Sequence, residues 1–288
     1  MGIEWRDDLY NITEGKMNMT NYAEAVTEYF ERHKEEMIAF LEELVLAESP
    51  SQRPETHVRP LEIMADALAE LGYETELHPA EECGGTLVGV PAGYQEGDAT
   101  QLLVGHCDTV WPVGTLEKMP FTVKEKSIHG PGVLDMKSGL TQMVFALRAL
   151  REMGVKPAVA PIIIVNSDEE VGSDESTAHI ADWAQKAARA FILEPAMGDE
   201  GLLKTARKGT GRYKLTIHGK AAHSGLAPQD GISAVLELSY LTQELFGMTD
   251  YESGVTINVG VIKGGVQPND TEISENQSSQ VAKSPDGP

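Results

Sequence analysis

Only two cysteines, Cys83 and Cys107, occur in 288 residues. That is too few for a disulfide framework, and they form no CxxC pair, so free thiols in a reducing cytosol are expected. Basic residues are also scarce. The 23 Lys and Arg stand against 45 Asp and Glu, for a net charge of −22, which argues against nucleic acid as a partner because phosphate binding needs a basic face. No run of about 18 apolar residues occurs, so no membrane span is expected. The opening MGIEWRDDLYNITEGK has neither the basic start nor the apolar centre of a signal peptide. It also lacks the Ser or Thr that myristoylation prefers at the sixth position. A cytoplasmic protein, or one that collects cations, is the expectation.

What is present is the composition of a globular chain, 41% hydrophobic and 24% charged. Over residues 22–47, Val26, Tyr29, Phe30, Met37, Phe40, Leu41, Leu44 and Val45 recur at three- and four-residue intervals, predicting one amphipathic helix that stops before Pro50. A second helix is expected over residues 58–71, ending at Gly72. Short strands follow at YETELH and TLVGVPAG. The segments QLLVGHCDTV, PIIIVNSDEE and ARAFILEPA are apolar runs that end in acids or His, and a helix ending at Gly154 lies between the first two. Strands apolar on both faces and alternating with helices predict an α/β fold with a mainly parallel, helix-covered sheet. After EPAMGDEG the texture changes. GRYKLTIHG alternates as a half-exposed strand. A helix follows with Ile232, Val235, Leu238, Leu241 and Leu245 on its buried side, and then the strand GVTINVGVIKGG. The expected division is a catalytic unit over 1–199, a smaller α+β unit over 200–269, and a polar, disordered tail over 270–288.

Ligands of such sheets collect beyond the carboxyl ends of the strands. His106, Asp108, Glu169, Glu170 and Glu194 all fall at such ends, and Asp135 sits in a Gly-rich loop before a helix. Nitrogen-plus-carboxylate sets suit zinc, and also manganese or cobalt. Several buried carboxylates without a cation would have to protonate, so metal accounts for all of them together. In H-x-D the carboxylate of Asp108 can hold the other nitrogen of His106 and fix its tautomer. Asp135 can bridge two metals. In DEE one glutamate can bind metal while its neighbour serves as general base; the role of Asp168 stays open. Taken singly the signals have plainer readings: H-x-D as a structural pair, the acid pair as a solvated turn, Glu194 before Pro195 as a turn residue. Their order and shared position favour the metal.

GHCDTVWP, GPGVLDMKSG, NSDEEVGS, ILEP and HGKAAHSG, in that order, resemble the co-catalytic zinc aminoacylase and carboxypeptidase family. That group includes glutamate carboxypeptidase, acetylornithine deacetylase and succinyl-diaminopimelate desuccinylase. The resemblance covers roughly residues 25–269. It implies two zincs per site. His106, Asp135 and Glu194 would hold one, Asp135 would bridge, and Glu170 would bind the second. Glu169 would be the general base and Asp108 would orient His106. His223, in an inserted dimerisation domain, would reach a partner subunit's site in a homodimer and steady the oxyanion. Asn258 would help to bind the substrate's carboxylate. The implied substrate is a small peptide or an N-acyl amino acid, with HCDTVWPVGT leaning toward glutamate carboxypeptidases. Cys107, on the opposite strand face, is expected in the core.

The chain departs from that family in one respect. Members continue through the small domain and return to the sheet, supplying a last histidine ligand for the second zinc, whereas no histidine follows His223 here. The expectation is a C-terminally truncated form with one firm zinc, a weakened second, and weakened or absent hydrolysis. An N-acyl-amino-acid deacylase and an inactive metal-binding or dimerising remnant are the alternatives.

Overall fold

The computed structural model describes residues 19–198, 200–264 and 277–282. The chain divides into two compact units, Met1–Leu203 and Lys204–Pro288. Among the described residues no helix is long and apolar enough to cross a membrane.

The first unit begins with helices α1 (Met19–Arg32), α2 (Lys34–Leu46) and α3 (Val58–Glu70). The single helix expected over residues 22–47 is therefore two, meeting at His33, whose ψ of 14° leaves the helical range. Its ring lies against Tyr29 and its Nδ1 meets Glu36. Strands β1 (Tyr73–His78), β2 (Thr86–Pro91) and β3 (Thr100–His106) follow. A small antiparallel pair comes next, β4 (Thr122–Lys124) with β5 (Ser127–His129). Helix α4 (Ser138–Glu152), β6 (Ala160–Asn166), α5 (Thr177–Ala184) and β7 (Ala187–Ile192) complete the unit.

The main sheet runs β1-β2-β6-β3-β7. β3 pairs in parallel with β6 and β7, whereas β2 pairs antiparallel with β1 and β6. The sheet is mixed: it is parallel over β6-β3-β7, the strands from which the mainly parallel expectation was drawn, and β2 runs against the rest. The connection from β1 to β2 is too short for a crossover, so those two strands must run antiparallel. β6 is buried on both faces. Ile163 and Val165 join a core with Leu44, Leu61, Met64, Leu68, Leu140, Val144 and Phe145 from α2, α3 and α4. Ile162 and Ile164 face the other side, with Leu102, Val104 and the α5 residues Ile180 and Trp183. Each aliphatic side chain fully buried in this way contributes about 1.5–3 kcal/mol. Cys107 lies in the first of these cores, as expected from its strand face, and burial pushes its thiol up to about 12.

Because β3, β6 and β7 are parallel, their carboxyl ends share one edge. α4 is drawn to that edge by two glycines. A Cβ on Gly105 would meet Leu140 and Met136, and one on Gly139 would run into the Leu193 carbonyl. The loop before α4 is thereby brought beside the residues that follow β7.

The second unit contains β8 (Leu215–Gly219), α6 (Ala234–Gly247), β9 (Val261–Lys263) and β10 (Gln277–Ala282), with antiparallel strand order β8-β10-β9. β10 falls inside the stretch read from sequence as a disordered tail, and it is the central strand; the rest of that stretch lies outside the described residues. Ser233 caps α6, its Oγ accepting from the Leu236 N–H. The buried face of α6 is narrower than its periodicity predicts. Ala234 and Leu238 are buried and Leu241 and Leu245 half-buried, but Val235 and Ile232 are exposed. A three-stranded sheet covers one stripe of a helix and leaves the flanks open.

Candidate metal centre

His106 ends β3, and its imidazole is buried. Nδ1 lies 2.9 Å from the Asp108 carbonyl and 3.3 Å from Asp108 Oδ1. Both neighbours are acceptors, so Nδ1 carries the proton and the lone pair of the neutral ring resides on Nε2. Around Nε2 stand Asp135 Oδ1 at 3.1 Å, Glu194 Oε1 at 3.3 Å and Glu169 Oε2 at 3.8 Å. One ligand atom each from His106, Asp135 and Glu194 fall within 4.8 Å of one another, a group able to hold a metal ion. Donors about 2.1 Å from a tetrahedral cation lie roughly 3.4 Å apart, close to the separations seen around Nε2. The set is graded in exposure. His106 is sealed, the Glu194 side chain is 16% exposed, and those of Asp135 and Glu169 are 56% and 47% exposed. The centre is walled on the protein side and open on the other.

Electrostatics point the same way. Burial alone would lower the His106 pKa, but the Asp108, Asp135 and Glu194 carboxylates outweigh it and hold the imidazole well above its ordinary value. The adjacent His106 is the main influence keeping Asp135 below the usual carboxylate range. Burial, reinforced by Glu194, Asp108 and Asp135, raises Glu169. Burial and then Asp135 raise Glu170 to about 7. A divalent cation among these groups supplies the positive charge that protons otherwise must.

Asp108 does more than orient His106. Its carboxylate is fully buried, and burial raises its pKa, yet His106, Ser51 and backbone donors outweigh this and hold it below the usual value. Oδ1 accepts from the Glu169 N–H and Oδ2 from the Glu170 N–H, each at 3.2 Å. One carboxylate thus fixes both the imidazole and the 3₁₀ turn Glu169–Val171. Asp168, whose role the sequence left open, points away from this task. It accepts from Asn166 Nδ2 at 3.1 Å and from the Glu175 and Ser176 N–H groups at 2.9 and 3.0 Å, and so ties the turn to the start of α5.

Sequence reading missed several supports. Lys137 is fully buried beneath the Asp135 loop, and its Nζ donates to the Leu44 and Ala47 carbonyls at 2.8 Å, closing the end of α2. Burial lowers its pKa to about 8. Glu48 accepts from the Gly114 and Leu116 N–H groups, pinning the loop that follows Trp111. No spacing marks Lys137 in advance, since it lies just before α4. His223 and Asn258 belong to the second unit. His223 Nδ1 accepts from the Gly225 and Leu226 N–H groups at 3.1 and 3.2 Å, and Asn258 is exposed in the segment before β9.

Known proteins resemble this chain in sequence and in fold. Residues 102–278 match the family model described as peptidase family M20/M25/M40. Carboxypeptidase G2 of Pseudomonas sp. (strain RS-16) is 32% identical over 182 residues, 63% of this chain and 43% of that protein. Acetylornithine deacetylase of Pasteurella multocida is 31% identical over 222 residues, 71% of this chain and 56% of the relative. The chain thus spans about half the length of these curated relatives. Aminopeptidase PepT from Bacillus cereus shares the fold, with a TM-score of 0.61 at 22% identity, over 86% of this chain and 65% of that structure.

Proposed function

The chain belongs to peptidase family M20/M25/M40, a family of metal-dependent hydrolases, and on that premise we propose a zinc-dependent hydrolase that cleaves an amide next to a free carboxylate, in the manner of a glutamate carboxypeptidase. One observation carries the reading: His106 Nε2, Asp135 and Glu194 converge within 4.8 Å, with Glu169 3.8 Å from the same nitrogen. Zinc held by His106, Asp135 and Glu194 would polarise the scissile carbonyl and make water acidic enough to attack near neutral pH. Glu169 is the general base. It stands beside the metal donors without belonging to their group, and its raised pKa suits a carboxylate that takes a proton from water and returns it to the leaving amine. Asp108 holds the His106 tautomer that leaves Nε2 free for the metal. Glu170 is assigned to a second, more weakly held zinc.

The remaining roles rest on resemblance. His223, from the second unit of a partner chain in a homodimer, steadies the oxyanion, and Asn258 receives the substrate carboxylate. The likeness to carboxypeptidase G2 supports cleavage of a C-terminal residue, and the resemblance of HCDTVWPVGT to glutamate carboxypeptidases makes that residue glutamate. The similar likeness to acetylornithine deacetylase supports the second reading, an N-acyl-amino-acid deacylase. The test is zinc-loaded protein assayed against N-acyl-glutamates, acetylated amino acids and dipeptides. Release of glutamate that chelation abolishes and zinc restores is the expected result. Preferential cleavage of acetylated amino acids would shift the assignment to the deacylase, and no hydrolysis despite bound zinc would remove the enzymatic reading.

A further inference from the structure

We propose that Ser51 is a positioning residue of the metal centre, acting through Asp108 from a strap 57 residues away in sequence. The inference rests on the metal reading above and adds to it a residue that no motif contains. Ser51 is 4% exposed. Its Oγ donates to Asp108 Oδ2 at 2.8 Å, with the Thr109 carbonyl a poorer acceptor at 3.3 Å. The hydroxyl has one proton, so the shorter, charge-assisted bond to the carboxylate takes it.

That bond closes a network centred on Asp108. Ser51 and the Glu170 N–H occupy Oδ2, while the Glu169 N–H and His106 Nδ1 face Oδ1. The Asp108 carboxylate touches the metal-facing imidazole and the backbone of both glutamates, and Ser51 is the side chain that fixes it from behind. Removing one donor lets the carboxylate rotate toward those that remain, which turns the ring and shifts the Glu169 turn together. Partners bonded directly to a ligand, as Asp108 is to His106, typically alter metal affinity 10- to 100-fold when lost; Ser51 stands one bond further back, which puts its effect at the lower end of that range.

The strap itself is held independently. The Ser51 N–H donates to the Thr109 carbonyl at 3.1 Å and the Thr109 N–H to the Ser49 carbonyl at 2.9 Å. Ser49 Oγ donates to the Cys107 carbonyl at 2.6 Å, His57 Nε2 meets the Pro50 carbonyl at 2.9 Å, and Lys137 holds the Ala47 carbonyl. The strap therefore stays in place when the Ser51 hydroxyl is removed. Ser49 supplies the control, since its hydroxyl bonds the same strap to backbone and does not reach the carboxylate.

The experiment is calorimetric titration of the full chain with Zn²⁺ alone, paired with melting curves. Ser51→Ala is expected to weaken zinc binding by about 10-fold, Ser51→Thr to restore it to within about threefold, and Ser49→Ala to lower the melting temperature while leaving affinity within about twofold. Ser51→Cys keeps the volume but weakens the donor. It gives a smaller loss in the same direction and decides the matter if the alanine variant does not fold. Unchanged zinc affinity in Ser51→Ala, or an equal loss in Ser49→Ala, overturns the proposal while the metal reading stands. Absence of zinc binding by the unaltered chain overturns the metal reading, and this inference with it.

Discussion

At the scale of single residues, the proposed function has His106 and Glu169 divide the cation and proton chemistry of the centre. Glu169→Gln keeps the shape of the side chain but cannot accept a proton. The expected outcome is a fall in kcat of about 10²- to 10⁴-fold with zinc content unchanged, checked by steady-state kinetics alongside metal analysis. His106 links zinc to pH. In the metal-free protein its pKa is raised well above the ordinary value by the surrounding carboxylates, and a protonated ring must lose its Nε2 proton to become a ligand. Zinc affinity should therefore fall as pH drops, and the decline should begin well above pH 6.5, where an ordinary histidine would first compete. Titrations in buffers of different ionisation enthalpy should show net proton release on zinc binding, growing as pH falls; binding without proton release would refute the assignment of Nε2. Most of these residues were visible in sequence because strand ends concentrate functional side chains. Ser51 was not, since a serine after Ser-Pro carries no signal until the fold sets it against Asp108.

At the scale of elements, the centre depends on how α4 meets the end of β7. Gly139, in the first turn of α4, has no room for a side chain, because a Cβ would run into the Leu193 carbonyl next to Glu194. Gly139→Ala must push the helix and the strand end apart. We expect it to cost about 1–3 kcal/mol of stability and to weaken zinc binding as well, because Glu194 moves away from Asp135. Denaturant melts and zinc titration on the same variant check both parts. A stability loss without any change in affinity would show that Glu194 tolerates the shift. The strands of this sheet were legible from their apolar runs, but their directions were not. Periodicity reports which faces are buried and is blind to whether a neighbour runs parallel or antiparallel, so nothing in the sequence marked β2 as the strand that runs against its neighbours. The break between α1 and α2 was hidden for a related reason. The spacing of apolar residues continues through His33, while the backbone does not.

At the scale of the whole molecule, a chain with net charge −22 gathers several carboxylates at one edge of one sheet, and a bound cation should stabilise the fold that assembles them. Zinc at about 100 times its dissociation constant contributes about 2.7 kcal/mol, a rise in melting temperature on the order of 5–10 °C. Calorimetric melts with and without chelator test this, and an unchanged melting temperature would mean that the centre does not discriminate folded from unfolded chain. The sequence by itself determined the apolar strands, the helices over most of their length, and the candidate ligands, because burial and metal chemistry select residue types that recur at readable spacings. Resemblance had already grouped His106, Asp135 and Glu194, and tertiary structure decided how they converge. His106, Asp135 and Glu194 are 29 and 59 residues apart along the chain and meet only because the parallel strands β3 and β7 end at one edge and Gly139 admits α4 to it. It also decided what stands behind them. Buried polar groups such as Ser51, Asp168 and Lys137 acquire their roles from the partners that folding provides.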